Sequence, residues 1–390
     1  MDITLVNYMK EQLRLVSLDF KRYMYDKLPW QARFVGLMGP RGVGKSTLIL
    51  QHLKEMDADT QAKSLYISAD HSYFTTHTLI DTADQFVREG GETLYIDEVH
   101  KYDAWSRELK QIYDSHPELK IFFTGSSMLD ILEGEADLSR RVIEMQGMSF
   151  REYLEMFEGI KTPVRSLDDI LMGKIEIKEV LHPIPLFNKY LKEGYYPFSK
   201  EGFFQQRLQQ VIRLTMEVDI PQYANMSPAT GKKLRRMLSI IAGNVPYKPE
   251  ATGLANEIKV SRNDIPTYLL YMEKAGMIGQ LRDETGGMRG LGKTEKVYLD
   301  NPNIIYALSG NNSNIGNVRE TFFYNQTRVN QDVTSSKISD FTIGKYTFEI
   351  EGAKKSHKQV KDVENAYIVR DDIEYANGDI LPLWSFGLLY

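Results

Sequence analysis

Gly39-Pro40-Arg41-Gly42-Val43-Gly44-Lys45-Ser46-Thr47 sets three glycines, an ammonium and two hydroxyls side by side. Glycine adopts left-handed torsions at no steric cost, so such a loop can turn successive backbone N–H groups onto one anionic ligand. Lys45 would lie on the β and γ oxygens of a nucleoside triphosphate, and the Ser46 hydroxyl would ligate a bridging magnesium ion. Pro40, Arg41, Val43 and Thr47 complete the cradle. The spacing GxxxxGKS is that of a phosphate-binding loop. It predicts ATP and Mg2+ as ligands, although the loop itself touches no base atom and does not separate ATP from GTP.

A second chemical group closes the run ETLYIDEVH, Glu92 to His100. Asp97 at the tip of a buried strand can hold magnesium through water, and Glu98, one residue on, can orient or deprotonate an attacking water. Two further runs offer lesser groups. KIFFTGSS ends in Ser126 and Ser127, either of which would sense a γ-phosphate or position water. LSRRVIEMQGMSF carries Arg140 and Arg141, either of which is a candidate finger reaching a neighbouring subunit's nucleotide.

These groups need strands and helices to place them. Phe34 to Met38 reads as a buried strand before the loop, and Thr47 to Leu53 as the helix after it, whose positive end would face the phosphates. Ser64 to Ala69 reads as a strand and Thr78 to Glu89 as a helix. The run from Lys120 is a strand expected between the first strand and the acid-bearing one. Upstream, Leu5, Met9, Leu13, Val16, Phe20, Met24 and Leu28 recur at three-to-four spacing, which predicts one amphipathic helix from Leu5 to Trp30.

Composition narrows the class. With 42% hydrophobic and 26% charged residues and a net charge of −5, the 390-residue chain reads as a soluble globular protein of two or three domains. Zero cysteines exclude disulfides and thiolate metal sites. No apolar run approaches the roughly 18 residues of a membrane span, and no signal organisation opens the chain, so a cytoplasmic location without membrane contact is expected.

GPRGVGKST, YIDEVHKYDAWSRELK, FFTGSS and LSRRVIEMQGMSFREYL together resemble, in order and spacing, the prokaryotic AAA-superfamily ATPases of archaeal and bacterial type, whose C-terminal part is a domain of unknown function. In that family the segment before the fifth strand reads Leu-x-Gly-Arg. Here Arg141 falls on the arginine and Arg140 replaces the glycine. The resemblance implies an α/β fold: a P-loop NTPase core with a five-stranded parallel sheet, then a helical lid, a winged helix and a compact restriction-endonuclease-like α/β domain.

The remaining chain is read on that plan. Residues 1–150 form the ATPase core, 151–226 a helical lid or connector, 227–300 the winged helix and 301–390 the end domain. Helices are expected at Lys232 to Ala242, Gly253 to Ile258 and Ser261 to Ala275, the last with Ser261 as N-cap and Asp264 as capping-box partner, followed by a wing from Gly279 to Leu299. Residues 227–300 hold 12 Lys and Arg against 8 Asp and Glu in a chain that is otherwise acidic. Lys259, Arg262, Arg289, Lys293 and Lys296 are the candidate DNA contacts, with protein docking or a purely structural role the other uses of such a module, and self-association or a protein partner is open to the chain.

Farther on, Lys337 to Ile343 and Tyr346 to Glu351 predict a hairpin turning at Gly344-Lys345. Its register pairs Ile343 with Tyr346, Phe341 with Phe348 and Ser339 with Ile350, which sets Asp340 opposite Glu349. Like charges so opposed invite a cation, and Glu320 on the preceding helical run would complete a second metal site. Glu351 stands where related nucleases carry a lysine, and the nearest lysines are Lys354 and Lys355. A helix is expected from Ser356 to Ala366. Three functions therefore stay open: an ATPase moving its C-terminal module, a slow ATP-dependent switch binding DNA or protein, and an ATP-gated nuclease.

Overall fold

The computed structural model describes residues 1–126, 142–284, 293–310, 313–352 and 363–390. The chain divides into two compact units, residues 1–146 and 147–390. Ser127, Arg140, Arg141, Arg289, Lys354 and Lys355 lie outside the described residues, as does most of the helix expected from Ser356.

The first unit is built on β1 (Phe34–Met38), β2 (Ser64–Ser68), β3 (Thr93–Asp97), β4 (Lys120–Gly125) and β5 (Val142–Glu144), all parallel, in the order β2-β3-β4-β1-β5. Every residue of β1, β2 and β3 is buried. Runs such as FVGLM and TLYID can be buried along their whole length because helices cover both faces of a parallel sheet. Those helices are α1 (Ile3–Leu15), α2 (Lys45–Glu55), α3 (Ala58–Ala62), α4 (Leu79–Arg88) and α5 (Trp105–Ser115). Leu48, Ile49 and Leu53 bury one face of α2, and Trp105, Leu109 and Ile112 one face of α5. Buried Glu108 on α5 accepts the Leu79 N–H at 3.0 Å, which places a carboxylate at the positive end of α4.

The amphipathic helix expected to run to Trp30 stops at Leu15. The Ser17 hydroxyl donates to the Asp19 carboxylate at 2.7 Å and accepts the Asp19 N–H at 3.1 Å, a local pattern that competes with helical hydrogen bonds. Val16, Met24 and Leu28 are buried all the same, so the periodicity marked burial beyond the helix that carries it.

In the second unit, helices Phe150–Glu158, Leu167–Leu171, Pro183–Glu193 and Phe204–Leu214 precede helices Pro228–Gly243, Ala251–Ile258 and Ile265–Lys274. Ser261 caps the turn before the last of these, and Asp264 closes the expected capping box. Strands β6 (Ile278–Arg282) and β7 (Thr294–Leu299) follow as an antiparallel pair. Helices Pro302–Ser309 and Ile315–Thr327 then lead to a mixed sheet of β8 (Val333–Ser335), β9 (Phe341–Ile343), β10 (Tyr346–Glu351), β11 (Ala366–Arg370) and β12 (Ile380–Pro382), in the order β12-β11-β10-β9-β8.

The β9–β10 hairpin pairs Ile343 with Tyr346 and Phe341 with Phe348, as its turn requires. There the ladder ends, and the expected pairing of Asp340 with Glu349 does not form. The Asp340 N–H and the Ser339 hydroxyl both donate to the Phe348 carbonyl, and the Asp340 carboxylate accepts the Ile350 N–H at 3.0 Å. A side chain has taken over a backbone group's place in the ladder. Among the described residues no helix is long and apolar enough to cross a membrane.

Candidate functional site: a glycine loop after β1 and two acids at the tip of β3

The loop leaving β1 turns through two left-handed residues, Gly42 at φ 86° and Gly44 at φ 100°. Gly39 is needed for another reason: a Cβ there would lie 2.3 Å from the Met145 carbonyl oxygen. Gly44 is the N-cap of α2 and no side chain caps that end, so the helix start presents backbone donors and its positive potential to the loop. Lys45 is buried, and its ammonium donates to the carbonyls of Gly39 at 2.9 Å and Pro40 at 3.0 Å. Pro40 and Val43 are buried, Arg41 is half-buried and Thr47 is exposed on α2.

Asp97 meets this loop at the end of β3. The Ser46 hydroxyl donates to its Oδ1 at 3.0 Å, the Tyr66 hydroxyl to its Oδ2 at 2.8 Å, and the Thr124 hydroxyl also to Oδ1. Burial raises the Asp97 pKa, with the Glu98 charge adding to the rise and the Thr124, Tyr66 and Ser46 hydrogen bonds opposing it. A buried acid that its own neighbours push toward neutrality is one that a divalent cation would stabilise as the anion. One carboxylate and several hydroxyls form a hard oxygen set, suited to magnesium and unsuited to soft metals.

Glu98 follows with φ 54° and ψ 40°, a left-handed conformation that costs a non-glycine residue on the order of 1 kcal/mol or more. Its N–H donates to the Thr124 hydroxyl at 3.1 Å, and its carboxylate stands 3.2 Å from His100 Nε2. The backbone reversal aims Glu98 away from the course of β3 while Asp97 stays in line with it. Thr124 therefore serves both acids, donating to one side chain and accepting from the next residue's backbone. Sequence reading passed over it in favour of Ser126, which lies one residue past β4. Extending the parallel register by one step from Ile96↔Phe123 puts Thr124 beside Asp97, and that was the available signal. Tyr66, two residues back on β2, had no local signal.

The other predicted positions scatter. Lys259, at φ 57°, and Arg262 are exposed ahead of helix Ile265–Lys274. Lys293 pairs with Glu295 at 3.4 Å, and Lys296 is turned inward, 3.4 Å from Asp340 Oδ1. Glu320 accepts the Tyr298 hydroxyl at 2.8 Å, while Glu349 and Glu351 are buried. Among the described residues no group of three or more acids and histidines converges as a metal site.

A five-stranded parallel sheet with a glycine loop after its first strand and an acid at the tip of its third defines a P-loop NTPase fold. Residues 31–154, which include the loop and both acids, match the family described as an AAA domain. Residues 184–315 match a domain of unknown function, DUF8612. No curated protein matches the chain. Among solved structures it is similar to a DNA replication initiation factor, with 13% identity over 70% of this chain and 89% of that one and a TM-score of 0.23. PCH-2 of C. elegans shows 15% identity over 70% of this chain and 65% of its own, with a TM-score of 0.25. A variant of RuvB from Thermotoga maritima shows 13% identity over 70% and 89%, with a TM-score of 0.28. At TM-scores this low none of the three bears on function.

Proposed function

We propose that the protein binds MgATP and hydrolyses it to ADP and phosphate, and that the cycle switches its C-terminal modules. The observation that carries this reading is the 3.0 Å hydrogen bond from Ser46 to Asp97, which brings the loop hydroxyl and the strand-tip carboxylate to one point with Glu98 on the next residue. Lys45 exchanges its two loop carbonyls for β and γ oxygens, and the glycine-loop amides hold the β-phosphate. Ser46 and Asp97 would hold the metal, which when bound withdraws charge from those oxygens. Glu98 orients a water in line with the γ-phosphorus. Its attack breaks the bond to the β,γ-bridging oxygen, releasing ADP and inorganic phosphate. Thr124 keeps Asp97 and Glu98 in register, and Ser126 lies near enough along the chain to sense the γ-phosphate.

Phosphate release by the purified protein, with ATP and GTP in parallel, tests the reading. Release should require magnesium and fall at least about 100-fold in Lys45→Ala and Glu98→Gln, the loss expected when a group stabilising the transition state is removed. Unchanged release in both variants would overturn it.

A second reading concerns the output. Residues 227–300, in the order helix, helix, helix, hairpin, act as a winged helix between the connector at 151–226 and the end domain at 301–390, with exposed Lys259 and Arg262 meeting DNA phosphates. Salt-dependent DNA binding that weakens when both are neutralised supports it, and no binding at low salt points instead to a protein partner. The nuclease alternative has the least behind it, because Asp340 and Glu320 already have partners within the fold.

A further inference from the structure

The irregular segment between α1 and β1 grips the phosphate loop at a point that motif reading never reaches. Arg22 is only 5% exposed. One guanidinium nitrogen donates to the Val43 carbonyl, in the middle of the loop, and another donates to the Gln146 carbonyl at 2.8 Å. Neighbouring residues of the segment hold the other end of the loop's helix. Lys21 reaches Glu55 at 2.5 Å, the Tyr25 hydroxyl donates to the same carboxylate, and Gln51 on α2 donates to the Ser17 and Phe20 carbonyls at 2.8 Å.

The Val43 carbonyl and the Gly44 N–H belong to one peptide plane. In a trans peptide the two point in opposite directions. Pinning the carbonyl outward onto Arg22 therefore aims the Gly44 N–H toward the opposite, concave side of the loop. Gly44, left-handed, stands on one side of that plane and has little intrinsic preference, so a contact from outside the loop at the Val43 carbonyl can set the plane's orientation. We infer that Arg22 is a positioning residue for the polyphosphate: through Val43 it orients the Gly44 amide toward the β-phosphate, without touching the nucleotide itself. This rests on the reading of the loop as a triphosphate site.

The β-phosphate is common to ATP and ADP, so both should lose affinity by the same factor. Binding of MgATP and MgADP to full-length Arg22→Met, Arg22→Lys and Lys21→Met is measured by titration calorimetry, with thermal unfolding in parallel. Arg22→Met should weaken both nucleotides about tenfold or more, the scale of one charge-assisted buried hydrogen bond. Arg22→Lys, which has one nitrogen where the guanidinium reaches the two carbonyls from separate nitrogens, should show a smaller loss, about threefold or more and again equal for both. Lys21→Met, which leaves Glu55 to Tyr25 and Val43 still held by Arg22, should bind like the parent protein. Should Arg22→Met fail to fold, Arg22→Lys carries the same test. Affinities within twofold of the parent in a folded Arg22 variant, or a loss confined to ATP, would overturn the inference while leaving the triphosphate reading intact. A parent protein that binds neither nucleotide would remove that reading and the inference with it.

Discussion

Two acidic strand ends in this molecule invite the same guess, and the fold treats them differently. At the tip of β3, three hydroxyls donate into Asp97 beside a glycine loop and an ammonium. Hydroxyl donors can rotate and become acceptors, so the carboxylate they serve can be handed to a metal ion at small cost. At β9–β10, Asp340 is committed to the Ile350 N–H and stands against Lys296. A backbone donor cannot turn away, and a lysine already supplies the positive charge. Clustered acids make a cation site only where their present partners are replaceable.

The sharpest way to break this contrast is to neutralise one acid at each place. Asp97→Asn should lower magnesium-dependent phosphate release at least about 100-fold, whereas Asp340→Asn should leave it within about twofold. Equal losses would erase the distinction. Thr124→Val removes the hydroxyl that serves both acids and keeps the shape. Steady-state hydrolysis should drop about tenfold, more than in Ser126→Ala, in line with losing a hydrogen bond to a charged group.

At the second place the expected effect is on stability. Lys296→Met strands Asp340 in a site where the two side chains are only 18% and 17% exposed, and should cost about 1–3 kcal/mol in urea unfolding. Added magnesium should not restore it. Restoration would show that the acids hold a metal after all.

A further expected effect is a pH dependence at a histidine that belongs to neither set of acids. His52 stacks on Trp30 with ring centroids 3.7 Å apart and lies 2.9 Å from the Tyr95 hydroxyl. Burial lowers its pKa from 6.5 to about 4, with the Glu55 charge opposing. The unfolded chain thus takes up this proton first, so the stability that neutral His52 contributes is whole above pH 6.5 and is lost as the pH falls toward 4. Melting temperatures across that range should decline, and His52→Phe, which keeps a ring on Trp30, should flatten the decline.

What the sequence disclosed follows chain locality. The loop, the strand before it and the helix after it are contiguous, and each constrains the next, so Gly39 to Ser46 could be read directly. Asp97 and Glu98 were equally plain because a buried apolar run ends in them. Thr124 became visible only once the strands were in register, and Tyr66 reaches Asp97 from β2, the edge strand paired beside β3. The C-terminal hairpin was legible for two residue pairs, where the turn dictates pairing. It ceased to be so where the Asp340 side chain entered the ladder, a competition that alternation of polar and apolar residues does not record. The first helix was overextended for the same reason, since Ser17 and Asp19 end it by local bonds while the apolar spacing runs on.

One arginine spans two carbonyls, and the second belongs to Gln146, the last residue before the chain crosses into the unit beginning at Gly147. Any displacement of the loop upon taking up or losing a phosphate must carry that crossing point along or snap one of two short links. On the proposed reading, a shift of the loop around a phosphate would therefore be handed by Arg22 to the last residue of the first unit.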